Sequence, residues 1–331
     1  MTNADLAHGG ALGEVMRAFP DAPTPWLDLS TGINPWPYPH SNIATSAFTA
    51  LPDAGLERDG IDAMARAWNC APETIALTAG SQAAIQILPR LFPSRRVAII
   101  VPTYSEHAIV WRSAGAVVKE VDGLASAAHE FDTVVVGNPN NPDGRAYQPD
   151  ALLRAAETLG SRGGRLIVDE AFADLQPDIS LAQHAGAASI IVLRSFGKFF
   201  GLAGVRLGAI VASPDVIASA RKLLGPWPVS GPALDLARRA YRDDAWRDAT
   251  LARLRKAADD LDRALRAGGV EPVGGTDLFR WAACADAHAT WRQLAARGIY
   301  VRRFSWSRDR LRFGLPREVT DFDRLTSALR A

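Results

Sequence analysis

Lysine is scarce in this chain: Lys119, Lys198, Lys222 and Lys256 are the only four in 331 residues. Three of them suit a solvated charge, Lys119 in a strand-like run and Lys222 and Lys256 in Arg-rich helical stretches. Lys198 differs. It follows the apolar run 190–194 in Ser195-Phe-Gly-Lys-Phe-Phe-Gly-Leu-Ala-Gly-Val-Arg-Leu-Gly208, a glycine-punctuated loop just past the C-terminal end of an expected parallel strand. Open α/β sheets bind their ligands at that edge. An amine there can form a Schiff base with a carbonyl compound. Glycines let the backbone approach a bound group closely, and Ser195 and Arg206 offer a hydroxyl and a guanidinium to an anion such as phosphate.

Three further segments carry chemistry in the same setting. Leu166-Ile-Val-Asp-Glu-Ala-Phe172 is an apolar strand ending in Asp169, and a buried carboxylate is costly unless paired. Its partner is either an arginine, the N–H groups of a helix start, or the protonated ring nitrogen of pyridoxal phosphate, which needs a counter-ion to act as an electron sink. Val134-Val-Val-Gly-Asn-Pro-Asn-Asn-Pro-Asp-Gly144 is a strand running into a turn that Asn140 and Asn141 favour. Leu77-Thr-Ala-Gly-Ser-Gln82 reads as a strand, a glycine and a helix start, where free N–H groups and the helix dipole attract phosphate.

The elements that must position these residues follow from the apolar pattern. Between about residues 74 and 213, runs at 96–101, 116–121, 133–137, 166–169, 190–194 and 207–212 alternate with Ala- and Leu-rich segments of helical period. That is the pattern of βαβ units, and the runs are near-continuous, as in strands covered on both faces. After residue 213 come long Arg/Ala/Asp-rich helical segments, notably 245–267, and short strands at 278–282, 299–304 and 310–315. The fold class predicted is α/β, a large domain with a mostly parallel sheet plus a smaller α+β domain. Gly225-Pro226-Trp227-Pro228 cannot continue a helix. Boundaries are therefore expected at residues 1–40 for an N-terminal segment joining the small domain, 41–225 for the large domain and 226–331 for the small one.

Composition removes several function classes. The 37 basic and 36 acidic residues are interspersed, giving a net charge of +1, so no electrostatic footprint for nucleic acid or a membrane surface exists. The first ten residues lack a basic n-region and an apolar h-region, and no apolar stretch approaches a membrane span; a cytoplasmic protein acting on a small molecule is expected. Cys70 and Cys284 lie far apart without ligand spacing, so neither a disulfide framework nor a metal site is expected.

In order and context the four segments resemble the fold-type I pyridoxal-phosphate enzymes, the family of aspartate and histidinol-phosphate aminotransferases, and the resemblance covers nearly the whole chain. Its most specific piece is the pattern SxGKxxGLxGxRxG around Lys198. The resemblance implies the aspartate-aminotransferase-like fold with a seven-stranded-type sheet, pyridoxal 5'-phosphate as cofactor, and a homodimer. It also implies that Lys198 carries the cofactor as a Schiff base, Asp169 pairs with the ring nitrogen and Asn141 bonds the phenolic oxygen. Ser81, Gln82, Ser195 and Arg206 would hold the phosphate, Tyr104 would stack on the ring, and Arg312 would grip the substrate carboxylate. Phe172 and Leu51 depart from the pattern. Many aminotransferases have tyrosine at these places, one reaching the phenolic oxygen and the other the neighbouring subunit's phosphate.

The N-terminus narrows the resemblance. His8-Gly-Gly followed by Leu27-Asp-Leu-Ser-Thr-Gly-Ile-Asn-Pro35 is similar to the openings of the threonine-phosphate decarboxylases of cobalamin biosynthesis. That implies decarboxylation of L-threonine O-3-phosphate to aminopropanol phosphate and carbon dioxide. His8, Gly9, Asn34 and Asn141 would contact the substrate, with Arg302 and Arg312 on its anionic ends. Arg303 rivals Arg302, since adjacent strand residues face opposite sides. A histidinol-phosphate-like aminotransferase is the alternative reading, and a non-enzymatic protein of the same fold a more remote one.

Overall fold

The computed structural model describes residues 9–331. Twelve strands run through them: β1 (Leu27–Leu29), β2 (Ile75–Thr78), β3 (Arg96–Ile100), β4 (Val117–Val121), β5 (Thr133–Gly137), β6 (Arg165–Glu170), β7 (Ile190–Ser195), β8 (Gly208–Val211), β9 (Glu271–Thr276), β10 (Phe279–Ala283), β11 (Ile299–Arg303) and β12 (Arg310–Gly314). They form two sheets in two compact units. The larger unit comprises Pro37–Asn141 and Arg145–Arg247; the smaller takes the described residues up to Trp36, Pro142–Gly144 and Asp248–Ala331.

In the larger unit the sheet order is β2-β8-β7-β6-β5-β3-β4, and β8 alone runs against its neighbours. Every residue of β5 and β7 is buried, which explains why these runs are apolar without alternation: helices cover both faces. On one face Ile99, Val135, Ile167, Ile191 and Ile210 pack with Ala84, Ile85, Leu88 and Trp111 from the helices Ser81–Leu91 and Glu106–Ser113. At the edge, β4 leaves Lys119 and Glu120 exposed, and charge on an edge strand discourages pairing with another chain.

The smaller unit has the order β1-β11-β12-β10-β9, with β1 parallel to β11 and the other pairs antiparallel. β1 and β9 are absent from the apolar runs that the sequence displays. β1 is three residues long, and β9 reads Glu-Pro-Val-Gly-Gly-Thr, with little strand propensity of its own; pairing with β11 and β10 makes them strands. Pro142–Gly144 joins this unit by a backbone bond, Gly275 N–H to the Asp143 carbonyl at 2.8 Å.

The boundary expected at residue 226 is corrected to Asp248. The prolines do interrupt the helix, but the next one, Gly231–Ala240, buries Ala233, Leu234, Leu236, Ala237 and Ala240 and packs on the helix Ala54–Trp68 of the larger unit. A chain break and a change of core are different events. The N-terminal boundary falls at Trp36 rather than residue 40. No helix among the described residues is long and apolar enough to cross a membrane.

Candidate active site

The parallel strands of the larger unit end along one edge, and the chemistry-bearing segments gather there. Ser81 and Gln82 follow β2, Tyr104 follows β3, Asn141 follows β5, Asp169 is the penultimate residue of β6, and Ser195 and Lys198 end and follow β7. Asp169 is 9% exposed. Its Oδ2 lies 2.8 Å from Nε2 of His107, itself fully buried, and its Oδ1 accepts from the Ala171 N–H at 3.1 Å. Strand alternation sends the next residue, Glu170, to the opposite face. There it meets Nη1 of Arg194 at 2.9 Å, the Ser180 hydroxyl at 2.5 Å and the Leu181 N–H at 2.6 Å. Burial pushes the Glu170 carboxyl up against the opposing pull of Arg194, which also binds Asp174 at 2.5 Å. This buried cluster fixes the ends of β6 and β7 from behind.

Around the first turn of Ser81–Leu91, Gly80 has φ +78°. A Cβ there would stand 2.5 Å from Nη2 of Arg206, so glycine is needed both for the left-handed backbone and for the approach of the guanidinium. Arg206 itself is left-handed at φ 56° and donates to the Ala203 carbonyl at 3.0 Å. Gln82 uses its side chain elsewhere. It accepts from the Tyr104 hydroxyl at 3.2 Å and donates to Glu106 at 3.0 Å, so its backbone N–H is the group it presents at the helix start. Tyr104 stands edge-on to His107 with centroids 6.2 Å apart; a chain of contacts thus runs Gln82–Tyr104–His107–Asp169. Asn138 and Asn140 are structural: Asn140 bonds Thr103 and the Pro102 carbonyl, and Asn138 bonds Tyr147 and Ile179. Half-buried Asn141 follows them, Phe172 is buried, and Leu51 is exposed. Lys198 is half-buried, whereas Lys119, Lys222 and Lys256 are exposed.

In the smaller unit Arg302 of β11 and Arg312 of β12 are register partners on antiparallel strands. Arg312 is 6% exposed; its Nη2 donates to the Ser30 carbonyl at 2.7 Å and its guanidinium lies 5.1 Å from the Phe279 ring centroid. Burial, reinforced by the charge of Arg302, pushes the Arg312 guanidinium down to about 9. Arg303 faces away, with Nη1 2.9 Å from Nδ1 of His288 and its guanidinium over Trp291, both on the helix Ala287–Ala295. Arg302 thus shares its side of the ladder with Arg312, and Arg303 shares the other side with that helix.

The two N-terminal motifs meet. A Cβ on Gly9 would collide with the Ser30 carbonyl, and the Gly10 N–H donates to the Ser30 hydroxyl at 2.8 Å. That hydroxyl is fixed by Asp28 at 2.6 Å. Asn34 is 2% exposed and accepts from the Trp36 N–H at 2.9 Å, an Asx turn. His8 lies outside the described residues.

The model for aminotransferase class I and II matches residues 37–328. The chain belongs to that family. It is 42% identical over 326 residues to a threonine-phosphate decarboxylase of Pseudomonas aeruginosa, covering 98% of this chain and 97% of that protein. To one from a Sinorhizobium species it is 41% identical over 329 residues, covering 99% and 98%. A histidinol-phosphate aminotransferase of Sinorhizobium meliloti, solved with pyridoxal-5'-phosphate, shares the fold at a TM-score of 0.82 and 19% identity, over 96% of this chain and 93% of that one.

The residues fit the cofactor of this family. Gly80 leaves space at a helix start beside a guanidinium, suited to a phosphate. Asp169 is a nearly buried carboxylate at a strand end, suited to a protonated ring nitrogen, and Lys198 is the half-buried amine at the same edge. Sequence reasoning missed His107, for which the spacing Tyr104-x-x-His107 after a strand was the available signal. It also missed the aromatic residues Phe279, Trp281 and Phe304 around the paired arginines, for which the sequence carries no signal.

Proposed function

We propose that this protein decarboxylates L-threonine O-3-phosphate with pyridoxal phosphate as cofactor, giving aminopropanol phosphate and carbon dioxide. The observation that carries the reading is the pairing of Arg302 with Arg312. Two guanidiniums side by side, one of them buried, attract an anion. The substrate has two anions on neighbouring carbons, a carboxylate on Cα and a phosphoryl oxygen on Cβ, so adjacent guanidiniums match it. Histidinol phosphate carries only one anionic group. The relatedness to threonine-phosphate decarboxylases at 41–42% identity over nearly the full length supports the same choice.

In this reading Ser81, the Gln82 N–H, Ser195 and Arg206 hold the cofactor phosphate, Tyr104 lies on the ring, Asn141 bonds its phenolic oxygen and also touches the substrate, and Lys198 carries it. Bound there, pyridoxal phosphate supplies an electron sink for the pair left when a bond to the substrate Cα breaks. Asp169, oriented by His107, keeps the proton on the ring nitrogen. Arg312 holds the Cα carboxylate in the orientation from which carbon dioxide leaves, and Arg302 holds the phosphate. His8, Gly9 and Asn34 complete the substrate's surroundings. Lys198, or a water, would return a proton to the substrate Cα.

The chain acts as a homodimer in the cytoplasm on this reading. The deciding experiment incubates the holoenzyme with O-phosphothreonine and no keto-acid acceptor. Carbon dioxide release supports the proposal; transamination that depends on an added keto acid, with no carbon dioxide, defeats it. Borohydride reduction followed by peptide mapping should place the pyridoxyl group on Lys198, and on none of the three exposed lysines.

A further inference from the structure

Beside Arg302 on the same strand edge, Phe304 lies with its ring centroid 5.0 Å from the Arg302 guanidinium carbon. Phe304 is 9% exposed and is held by two tryptophans: Trp281 edge-on at 5.1 Å and Trp306 tilted at 5.2 Å, with 5.8 Å between the tryptophans. Trp281 is in turn the register partner of Arg312. The arginine pair is therefore bordered by aromatic rings at both ends: Arg302 by Phe304, and Arg312 by Trp281 across the ladder and Phe279 beneath its guanidinium. The opposite side of β11 is given over to the helix Ala287–Ala295, through Arg303 and Trp291.

From this arrangement we infer that Phe304 is a positioning residue that holds the Arg302 guanidinium for the substrate phosphate, and that Trp281 and Trp306 lock its ring in place. The inference rests on the proposed substrate only in naming which anion Arg302 meets. An aromatic face attracts a guanidinium through its quadrupole. Unlike a carboxylate, it does so without cancelling the positive charge or occupying the in-plane N–H donors with which arginine grips a phosphate. A carboxylate in the place of Phe304 would hold Arg302 as firmly but compete with the anionic substrate. The ring also lets two arginines stand as neighbours while both keep their charge.

The test replaces the ring in the holoenzyme and measures affinity for inorganic phosphate and for O-phosphothreonine by calorimetry, together with KM and kcat. Phe304→Leu should weaken phosphate binding roughly three- to thirtyfold, the range of a partly to well desolvated cation–π contact. KM should rise by a similar factor and kcat should change less, while Phe304→Tyr and Phe304→Trp restore affinity. A series of increasingly fluorinated phenylalanines at position 304 nearly preserves shape while draining the ring quadrupole. Affinity falling steadily along that series supports the inference even if the leucine variant does not fold. Phosphate affinity that stays constant along the series overturns it. If affinity tracks the ring but no carbon dioxide is released from O-phosphothreonine, the role of Phe304 stands and the substrate assignment falls.

Discussion

Arg302 and Arg312 stand opposite each other across the β11–β12 ladder, and the second is buried and bonded to the Ser30 carbonyl. A folded protein that places two guanidiniums together has a standing electrostatic cost. For Arg312 the direction is set by its lowered value of about 9. The unfolded chain holds this proton more firmly than the folded one. Stability from this group therefore rises only as pH climbs from about 9 toward the ordinary arginine range, and at neutral pH it lies on the lower plateau. A bound anion relieves the cost. Phosphate at neutral pH should raise the melting temperature of the wild type, chloride at equal ionic strength should not, and Arg312→Met should lose most of the gain. The same variant should raise KM for O-phosphothreonine about ten- to a hundredfold, as loss of a charge-assisted contact implies. A phosphate response identical in wild type and variant would count against the site.

His107 reaches Asp169 at 2.8 Å from a fully buried position. Removing that contact leaves Oδ2 without its imidazole partner, while Oδ1 keeps the Ala171 N–H. His107→Leu is expected to weaken cofactor binding by roughly ten- to a hundredfold, with His107→Gln intermediate because it keeps a donor of similar reach. Titration of the apoenzyme with pyridoxal phosphate measures this. Equal affinities for all three proteins would show that Asp169 needs no such support.

Arg194 compensates two buried carboxylates, Glu170 and Asp174. Burial raises both, so between the unfolded and folded values the folded state takes up the extra protons and stability falls as pH rises. Arg194→Met leaves the carboxylates uncompensated and should cost about 3–5 kcal/mol where they are ionised. Denaturant unfolding should therefore show a deficit that grows as pH rises, because protonation at the acidic end relieves the variant. A deficit independent of pH would assign the loss to packing instead.

Gly9 lies where any side chain would strike the Ser30 carbonyl, the acceptor of Arg312. Gly9→Val is expected to displace that carbonyl and, through it, the guanidinium. Misplacements of this kind cost roughly a hundredfold in rate, so kcat/KM should fall by about ten- to a hundredfold while the cofactor's absorption spectrum is retained. Unchanged kinetics would mean that the N-terminal strand segment tolerates the shift.

Residue types and local spacing already determined much of this protein. Lys198 is singled out among four lysines by the glycines around it, and the buried strands β5, β6 and β7 announce a parallel sheet because strands covered on both faces need no polar side. Asp169 is marked by standing at the end of such a strand. Only the tertiary structure decided the rest, because it depends on partners distant in the chain. Alternation says that Arg302 and Arg303 face opposite sides, but which side carries Arg312 and which the helix with His288 is fixed by register and packing. The Gly225–Pro228 break looks like a domain boundary locally, yet the helix after it belongs with the larger unit because its apolar face packs on Ala54–Trp68. His107 meets Asp169 across 62 residues of sequence, and Gln82 turns its amide to Tyr104 and Glu106. Hydrogen bonds and like-charge contacts act over a few ångströms, and only the folded backbone brings such residues within that range.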